Sequence, residues 1–376
     1  MPNEENNEPL NWVDQREQTL LAPWAMRSRD SKGRKHPGVE HVYRGPWQRD
    51  RDRILHSSAY RRLAGKMQVF TGEMGDYHRT RLTHTQEVAT IARTIGRVLG
   101  LNEDLIEALA LMHDIGHPPY GHAGEDALNE CVADEGGFSH NQFALTIAEE
   151  LEIRYHGFPG LNLTHEVLAG QKKRIDKTKT DGPKPLLEVQ LVDAADSTTY
   201  DAHDTDDAVK LKLVTIEQMS SLQLIRDALK RVREQYAGLD DDLTRKAVVH
   251  HLVERQVTSL TTHCAGELRD RNFASAAEAM QSDFFIEHPT ELAEQKRELE
   301  AFLYRNVYRH PDLIEVRQAA QQRLKEMFAK YCERPDLIPA KYQPRCQKVG
   351  VRRTAIDYIA GMTDHFCEQT WAQICH

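Results

Sequence analysis

The segment LMHDIGHPPYGHAGE, residues 111–125, crowds imidazoles and carboxylates into one short stretch. His113 and Asp114 are adjacent, His117 and His122 follow in a Pro- and Gly-rich loop, and Glu125 comes one helical turn after His122. Imidazole nitrogen and carboxylate oxygen together suit a divalent cation such as Mn, Mg, Fe, Co or Ni. An HD dipeptide alone carries little information; it gains weight from the two further histidines and the glutamate behind it. His84 stands earlier, on a stripe with Val88, Ile91, Ile95 and Val98. Alone on an apolar stripe, a histidine is more often a hydrogen-bonded core residue than a ligand. Two antiparallel helices joined by a short link, however, would carry His84 to the His113-Asp114 pair inside a bundle, where bundle metal sites are built. The third piece is LLEVQLVDAADSTTYDAHDTDD, residues 186–207, in which Asp193, Asp196, Tyr200 and Asp204 share one helical face. Leu187, Leu191 and Ala194 mark an apolar face beside it, so the acidic row reads either as a solvated face or as the wall of a cleft.

The elements that must position these residues are helices. Apolar spacing predicts a helix from Thr83 to Leu99 with Thr83 and Gln86 as its capping box. A second is capped by Asn102, carries Leu105, Leu109 and Met112 inward, and stops at Gly116 before Pro118 and Pro119. Further helices are expected from about His122 to the Gly136-Gly137 pair, from Gln142 to Arg154, and from Leu186 to Ala208. Residues 171–185 (QKKRIDKTKTDGPKP) read as a basic loop. Residues 1–50 read as a partly irregular N-terminal arm, 51–210 as a metal-binding catalytic core, and 211–376 as a C-terminal helical region packed on that core, broken near Gly238, Pro289, Pro311 and 335–350. Strand signals are weak throughout, so the fold class is mainly α.

Bulk properties narrow the function. The chain has 376 residues, 40% hydrophobic and 28% charged, as expected of a globular protein with a sizeable core. No apolar run approaches the roughly 18 residues that cross a bilayer, mean hydropathy is −0.64, and the acidic, polar start lacks the character of a secretion signal, so a cytoplasmic protein away from membranes is expected. Six cysteines form no CxxC pair, which argues against a zinc ribbon or a dithiol redox site. The net charge of −9 argues against a generally basic nucleic-acid binder.

Taken together these residues resemble the HD superfamily, whose pattern is H…HD…D. More closely, RDRDRILHSSAYRRLAGKMQVF (49–70), GDYHRTRLTHTQEVATIAR (75–93), HDIGHPPYGHAGE (113–125), GFSHNQ (137–142), the Asp196–Tyr200–Asp204 spacing and DYIAGMTD (357–364) resemble the dGTP triphosphohydrolase-like family of deoxynucleoside triphosphate triphosphohydrolases. The resemblance implies an HD-domain helical bundle and hydrolysis of dGTP, or of dNTPs generally, to deoxynucleoside and inorganic triphosphate. It implies His84, His113, Asp114 and Asp196 as metal ligands, with Asp196 preferred to Asp193 because Tyr200 and Asp204 follow at the family's offsets. It implies His122 and Glu125 as the catalytic pair. Arg81 would meet the phosphates, His117, His140 and Asn141 would line the phosphate pocket, Tyr200 would pack on the deoxyribose, Asp204 would bond its 3′-OH, and Gln68 would touch sugar or base. Tyr358 and Asp364 are expected to be structural. Arg61, Arg62, Lys210, Lys212, Arg352 and Arg353 are further candidates for phosphate. By analogy the family adds an allosteric nucleotide, single-stranded DNA and a homo-oligomer, hexamer or tetramer, as partners. The rival readings are another HD phosphohydrolase, a nucleotide monophosphatase or phosphodiesterase, and a nucleic-acid-binding or regulatory HD protein without activity.

Overall fold

A computed structural model describes residues 11–38, 41, 43–68, 79–175 and 184–376. Among the described residues the chain is helical, with two isolated bridges, Arg34 with Thr164 and Met67 with Thr80, and no strand. The arm holds α1 (Asn11–Leu20) and the start of α2 (Pro46–Leu55). Next come α3 (Ser58–Arg62), α4 (Arg81–Val98), α5 (Glu103–Met112), α6 (Gly121–Cys131), α7 (His140–Thr146), α8 (His165–Ile175) and α9 (Leu187–Lys210). The remainder is α10 (Ile216–Met219), α11 (Gln223–Gln235), α12 (Asp241–Arg271), α13 (Ala276–Gln281), α14 (Thr290–Leu303), α15 (Pro311–Glu333), α16 (Gln343–Val349), α17 (Val351–Ala360) and α18 (Asp364–Cys375). No described helix is long and apolar enough to cross a membrane.

α5 is the centre of the first core. Its sequence, EDLIEALALM, is apolar on nearly every side, and Leu105, Ile106 and Ala108 through Met112 are all buried. A helix of that kind must be surrounded, and α2, α4, α8 and α9 pack around it. Each fully buried Leu, Ile or Met contributes about 1.5–3 kcal/mol, so α5 fixes where its C-terminal residues, His113 and Asp114, come to rest. Asn102 caps it through Leu105 N at 3.2 Å, as its sequence predicts.

A second apolar core gathers Ala202 and Ala208 of α9 with side chains from α10, α11, α12, α14 and the start of α15. α9 therefore runs through both cores: Leu187, Leu191 and Ala195 belong to the first, Ala202 and Ala208 to the second. Asp196 and Tyr200 lie on the stretch between them. α15, α17 and α18 return to the first core.

Several boundaries differ from those the sequence predicts. α4 begins at Arg81 and its capping box is Thr80 with Thr83, not Thr83 with Gln86. The reason is that Thr80 bridges Met67 and Arg81 N donates to Lys66 O at 2.9 Å, so the chain is still extended there. Val98 falls at the far end of the stripe and is exposed. α5 ends at Met112, with turns through 113–116. α6 ends at Cys131 and a 3-10 turn over Ala133–Glu135 precedes the two glycines. α7 starts at His140 and passes into a π-turn over Ile147–Leu151. Residues 171–175 of the expected basic loop continue α8; 176–183 lie outside the described residues. Within 335–350, α16 forms behind Pro344, which suits a first helical turn.

Candidate active site

α4, α5 and α9 deliver His84, His113 and Asp196 to one point, with one ligand atom of each lying within 4.8 Å of the others. His84 Nε2 is 3.0 Å from Asp196 Oδ1, and His113 Nε2 is 3.6 Å from the same oxygen. Asp114 borders this group, its Oδ1 3.6 Å from His113 Nε2. Its oxygens also stand 3.1 and 3.0 Å from Arg81 Nη1, and His117 Nδ1 is 2.8 Å from Oδ1. Burial opposes ionisation of Asp114, but the Arg81 guanidinium beside it outweighs burial and holds its pKa well below the ordinary value.

Tautomers can be assigned by following the hydrogen bonds. His113 Nδ1 donates to Ala110 O at 2.5 Å, which leaves Nε2 a bare lone pair; it is buried and without a hydrogen-bond partner. Burial also lowers the His113 pKa, favouring the neutral ring. Behind His84, His203 Nε2 donates to Glu87 Oε2 at 2.5 Å, and burial pushes His203 down to about 4, so its Nδ1 is an acceptor. His84 Nδ1, 3.2 Å away, is then the donor, and His84 Nε2 is unprotonated. Two imidazole lone pairs and a carboxylate oxygen thus converge. Such a convergence of acceptors fits a divalent cation, with Glu87 and His203 fixing ring orientation as outer-shell partners do. Neither residue stands out in the sequence.

A second cluster lies on α6 and α7. His140 Nδ1 is 2.8 Å from both Glu125 oxygens, His140 N donates to Oε1 at 2.8 Å, and His122 Nδ1 is 3.4 Å from Oε2. Glu125 is thus shared by two histidines, with the shorter bonds to His140. Burial would raise its pKa, but hydrogen bonds from His122 and His140 pull it far down. His122 is half exposed, and the His117 and His140 rings stack at 3.8 Å. His117 is kept neutral by burial and by Arg81. Gly121, at φ +57, is required here: a Cβ on it would stand 2.9 Å from the Arg81 guanidinium.

These groups open on one cleft of about 620 Å³. Gln68, Arg81, His117, His122, His140, Asn141, Asp196 and Tyr200 line it with His84, His113 and Asp114. Gln68 Oε1 is buried and unpartnered. Asp204 is not on the wall. It is buried behind Tyr200 and accepts a hydrogen bond from Tyr308, whose hydroxyl also meets that of Tyr200; the two phenol rings are parallel, 6.4 Å apart. Asp193 pairs with Arg174 at 2.5 Å. The cleft also takes Arg174, Glu300, Tyr304, Tyr308 and Arg317, which sequence reasoning missed. Tyr308 ends a π-turn after α14, 104 residues beyond its partner Asp204, and no spacing rule connects them. Of the further basic candidates, Arg61, Arg62, Lys210, Lys212, Arg352 and Arg353, none lines the cleft; Arg352 pairs with Glu135 and Asp134, and Arg353 donates to Gly137 O. Asp364 is structural, accepting Met67 N at 2.9 Å and Tyr120 N at 3.0 Å.

Residues 81–201 match the HD domain and residues 286–373 a phosphohydrolase-associated domain. The chain is 38% identical over 361 residues to a deoxyguanosinetriphosphate triphosphohydrolase-like protein of Geobacter metallireducens, covering 93% of this chain and 94% of that protein. It is 39% identical over 360 residues to one of Geobacter sulfurreducens, with 93% and 94% covered. A third, from Nitrosomonas europaea, is 37% identical over 369 residues, with 94% and 97% covered. The chain belongs to the deoxyguanosinetriphosphate triphosphohydrolase-like family of HD-domain phosphohydrolases.

Proposed function

We propose that the protein hydrolyses deoxynucleoside triphosphates to deoxynucleoside and inorganic triphosphate. The observation that carries this reading is one cleft joining a converged set of metal-type donors to a wall of two parallel phenols. His84, His113, Asp114 and Asp196 would hold a divalent cation. When bound it polarises a phosphoryl oxygen and lowers the pKa of water toward about 7. A triphosphate carries about four negative charges, and charge-assisted bonds from guanidinium groups are the strong ones. Arg81, Arg174 and Arg317 supply three guanidinium groups to the cleft. Asn141 and His117 bind along the phosphate side, and Gln68 offers its unpartnered Oε1 to sugar or base.

His122 is the acid for the departing 5′ oxygen. It is half exposed and lines the cleft, and an imidazole can both give and take a proton. Glu125 orients it while His140 anchors Glu125 from the other side. Tyr200 and Tyr308 present the sugar face, and Asp204 holds the Tyr308 hydroxyl from behind, so the 3′-OH is read at this phenol–carboxylate unit.

The test is incubation with each dNTP, with and without Mn or Mg, and quantification of products. Inorganic triphosphate should appear only with metal; monophosphate or free phosphate would instead identify another HD phosphohydrolase. In the same assay H122A should lose roughly 10²–10⁴-fold in kcat with metal content intact, whereas H113A should lose the metal. Loss of metal from H122A would overturn this division of roles.

A further inference from the structure

Three helices meet at a buried ion pair that stands outside the active cleft. Lys296 of α14 and Asp201 of α9 are both buried, and the Lys296 ammonium donates to an Asp201 oxygen. It also donates to Gln256 Oε1 of α12 at 2.6 Å. Beside this junction, Arg255 Nη2 donates to Gln295 Oε1 at 3.5 Å. None of these side chains lines the cleft.

Stability does not account for the pair. Taking two charges out of water is a cost that their attraction repays only when the remaining polar atoms are satisfied as well. Here they are not: Asp201 Oδ1 and Gln256 Nε2 are buried without a hydrogen-bond partner. Burial outweighs the lysine and raises the Asp201 pKa to about 6. Uncharged side chains in the same place would serve the core as well.

What the pair can supply is register. α14 packs into the second core through Leu292, Leu299 and Leu303, with Val307 after them. Apolar contact is non-directional, and a slide of one turn, about 5.4 Å, carries Leu303 to the place of Leu299 and Val307 to that of Leu303. A lysine seated on one carboxylate admits a single register, which is the best-attested use of a buried polar group. On α9, Asp201 directly follows Tyr200, which lines the cleft. On α14, Glu300 stands one turn beyond Lys296, and Leu303, Tyr304 and Tyr308 follow along the cleft wall. In this register the Tyr308 hydroxyl meets both Tyr200 and Asp204.

We propose that Lys296 is a positioning residue: seated on Asp201 and Gln256, it sets the register of α14 against α9 and so aligns Tyr200, Tyr308 and Asp204 for a deoxyribose. The inference rests on the reading of that wall as the sugar site.

Steady-state kinetics of the metal-loaded, full-length protein with dGTP and with 2′,3′-dideoxyGTP test it, beside calorimetric melting and a crystal structure of the variant. D201A/K296M removes both charges together and should melt close to the wild type, because an uncharged replacement for a buried pair is commonly neutral or stabilising. Its KM for dGTP should rise roughly tenfold while kcat and metal content hold, the signature of lost uniform binding. Its preference for dGTP over the dideoxy analogue, which reports contact with the 3′-OH, should fall with it, and its crystal structure should show the Tyr308 hydroxyl displaced from Asp204. A folded D201A/K296M with wild-type KM, wild-type preference and Tyr308 still on Asp204 would overturn the proposal. A double variant that no longer folds would overturn it too, by making the pair a stability device. A wild type that turns over both nucleotides equally would instead sink the reading of the sugar wall, and the proposal with it.

Discussion

At the scale of single residues, the His84–His113–Asp196 centre is oriented by side chains that stand behind it. Glu87 fixes the His203 tautomer and His203 fixes that of His84. Removing such an outer partner commonly weakens metal affinity 10–100-fold, so E87A should show that loss in a competition titration with a chelating dye while the protein melts normally; unchanged affinity would leave the relay without function. Asp204 gives a second prediction. Burial, with Asp207 adding to it and a Tyr308 hydrogen bond opposing, raises its pKa from 3.8 to about 7. Between those values the folded chain keeps a proton that the unfolded chain has released, so stability falls as pH rises through that window. D204N should therefore melt above the wild type by more at pH 8 than at pH 5, and level with it only below the ordinary carboxylate value. An equal difference at both pH values would show that Asp204 does not titrate there. Residues readable in the sequence were those tied to their neighbours by short spacings: His113 with Asp114, His122 with Glu125, Asp196 with Tyr200. Glu87, His203, Arg174 and Tyr308 were not readable, because each acts through a partner on another helix and its own neighbourhood looks like solvated helix.

At the scale of elements, the apolar periodicity of α4, α5 and α9 was legible because burial demands it, while their ends were settled by contacts invisible in one dimension. α1 was missed because its residues NWVDQREQTL carry little apolar pattern. The junction of the HD loop with α7 is among the tight contacts of this kind. A Cβ at Gly116 would lie 2.1 Å from His140 O and 2.5 Å from Ala144 N, both backbone atoms that cannot swing aside. G116A must push α7 away and with it His140 and Asn141. It should cost roughly 1–3 kcal/mol and lower kcat at least tenfold, with metal content retained. Gly266, inside α12, is the control: nothing lies within 4 Å of its Cβ position, so G266A should stabilise by about 0.5–1 kcal/mol and leave activity unchanged. Chemical denaturation of the pair measures both; equal effects would refute the assignment of Gly116 to close packing.

At the scale of the whole molecule, the first and last parts of the chain build one cleft. Asp364, at the start of α18, accepts the backbone N–H groups of Met67 and Tyr120, next to Gln68 and Gly121. D364A leaves two buried donors unpaired, at about 1–3 kcal/mol each. It should lower kcat/KM and melting temperature together while metal content holds, and a variant with a lowered melting temperature but unchanged kcat/KM would show that the link serves stability alone. Fold class was legible here from the absence of strand signals; the return of α15, α17 and α18 to the first core was not, since nothing in a helix's own sequence says which distant helix it will meet. That return has a consequence during translation. The donors on α4, α5 and α9 leave the ribosome well before Tyr308 and Asp364, so the side chains proposed to hold a cation are made before those proposed to meet the sugar. On the proposed function turnover waits for the final helices, and a product cut short before α14 would carry the His84, His113 and Asp196 donors without Tyr308 or Asp364.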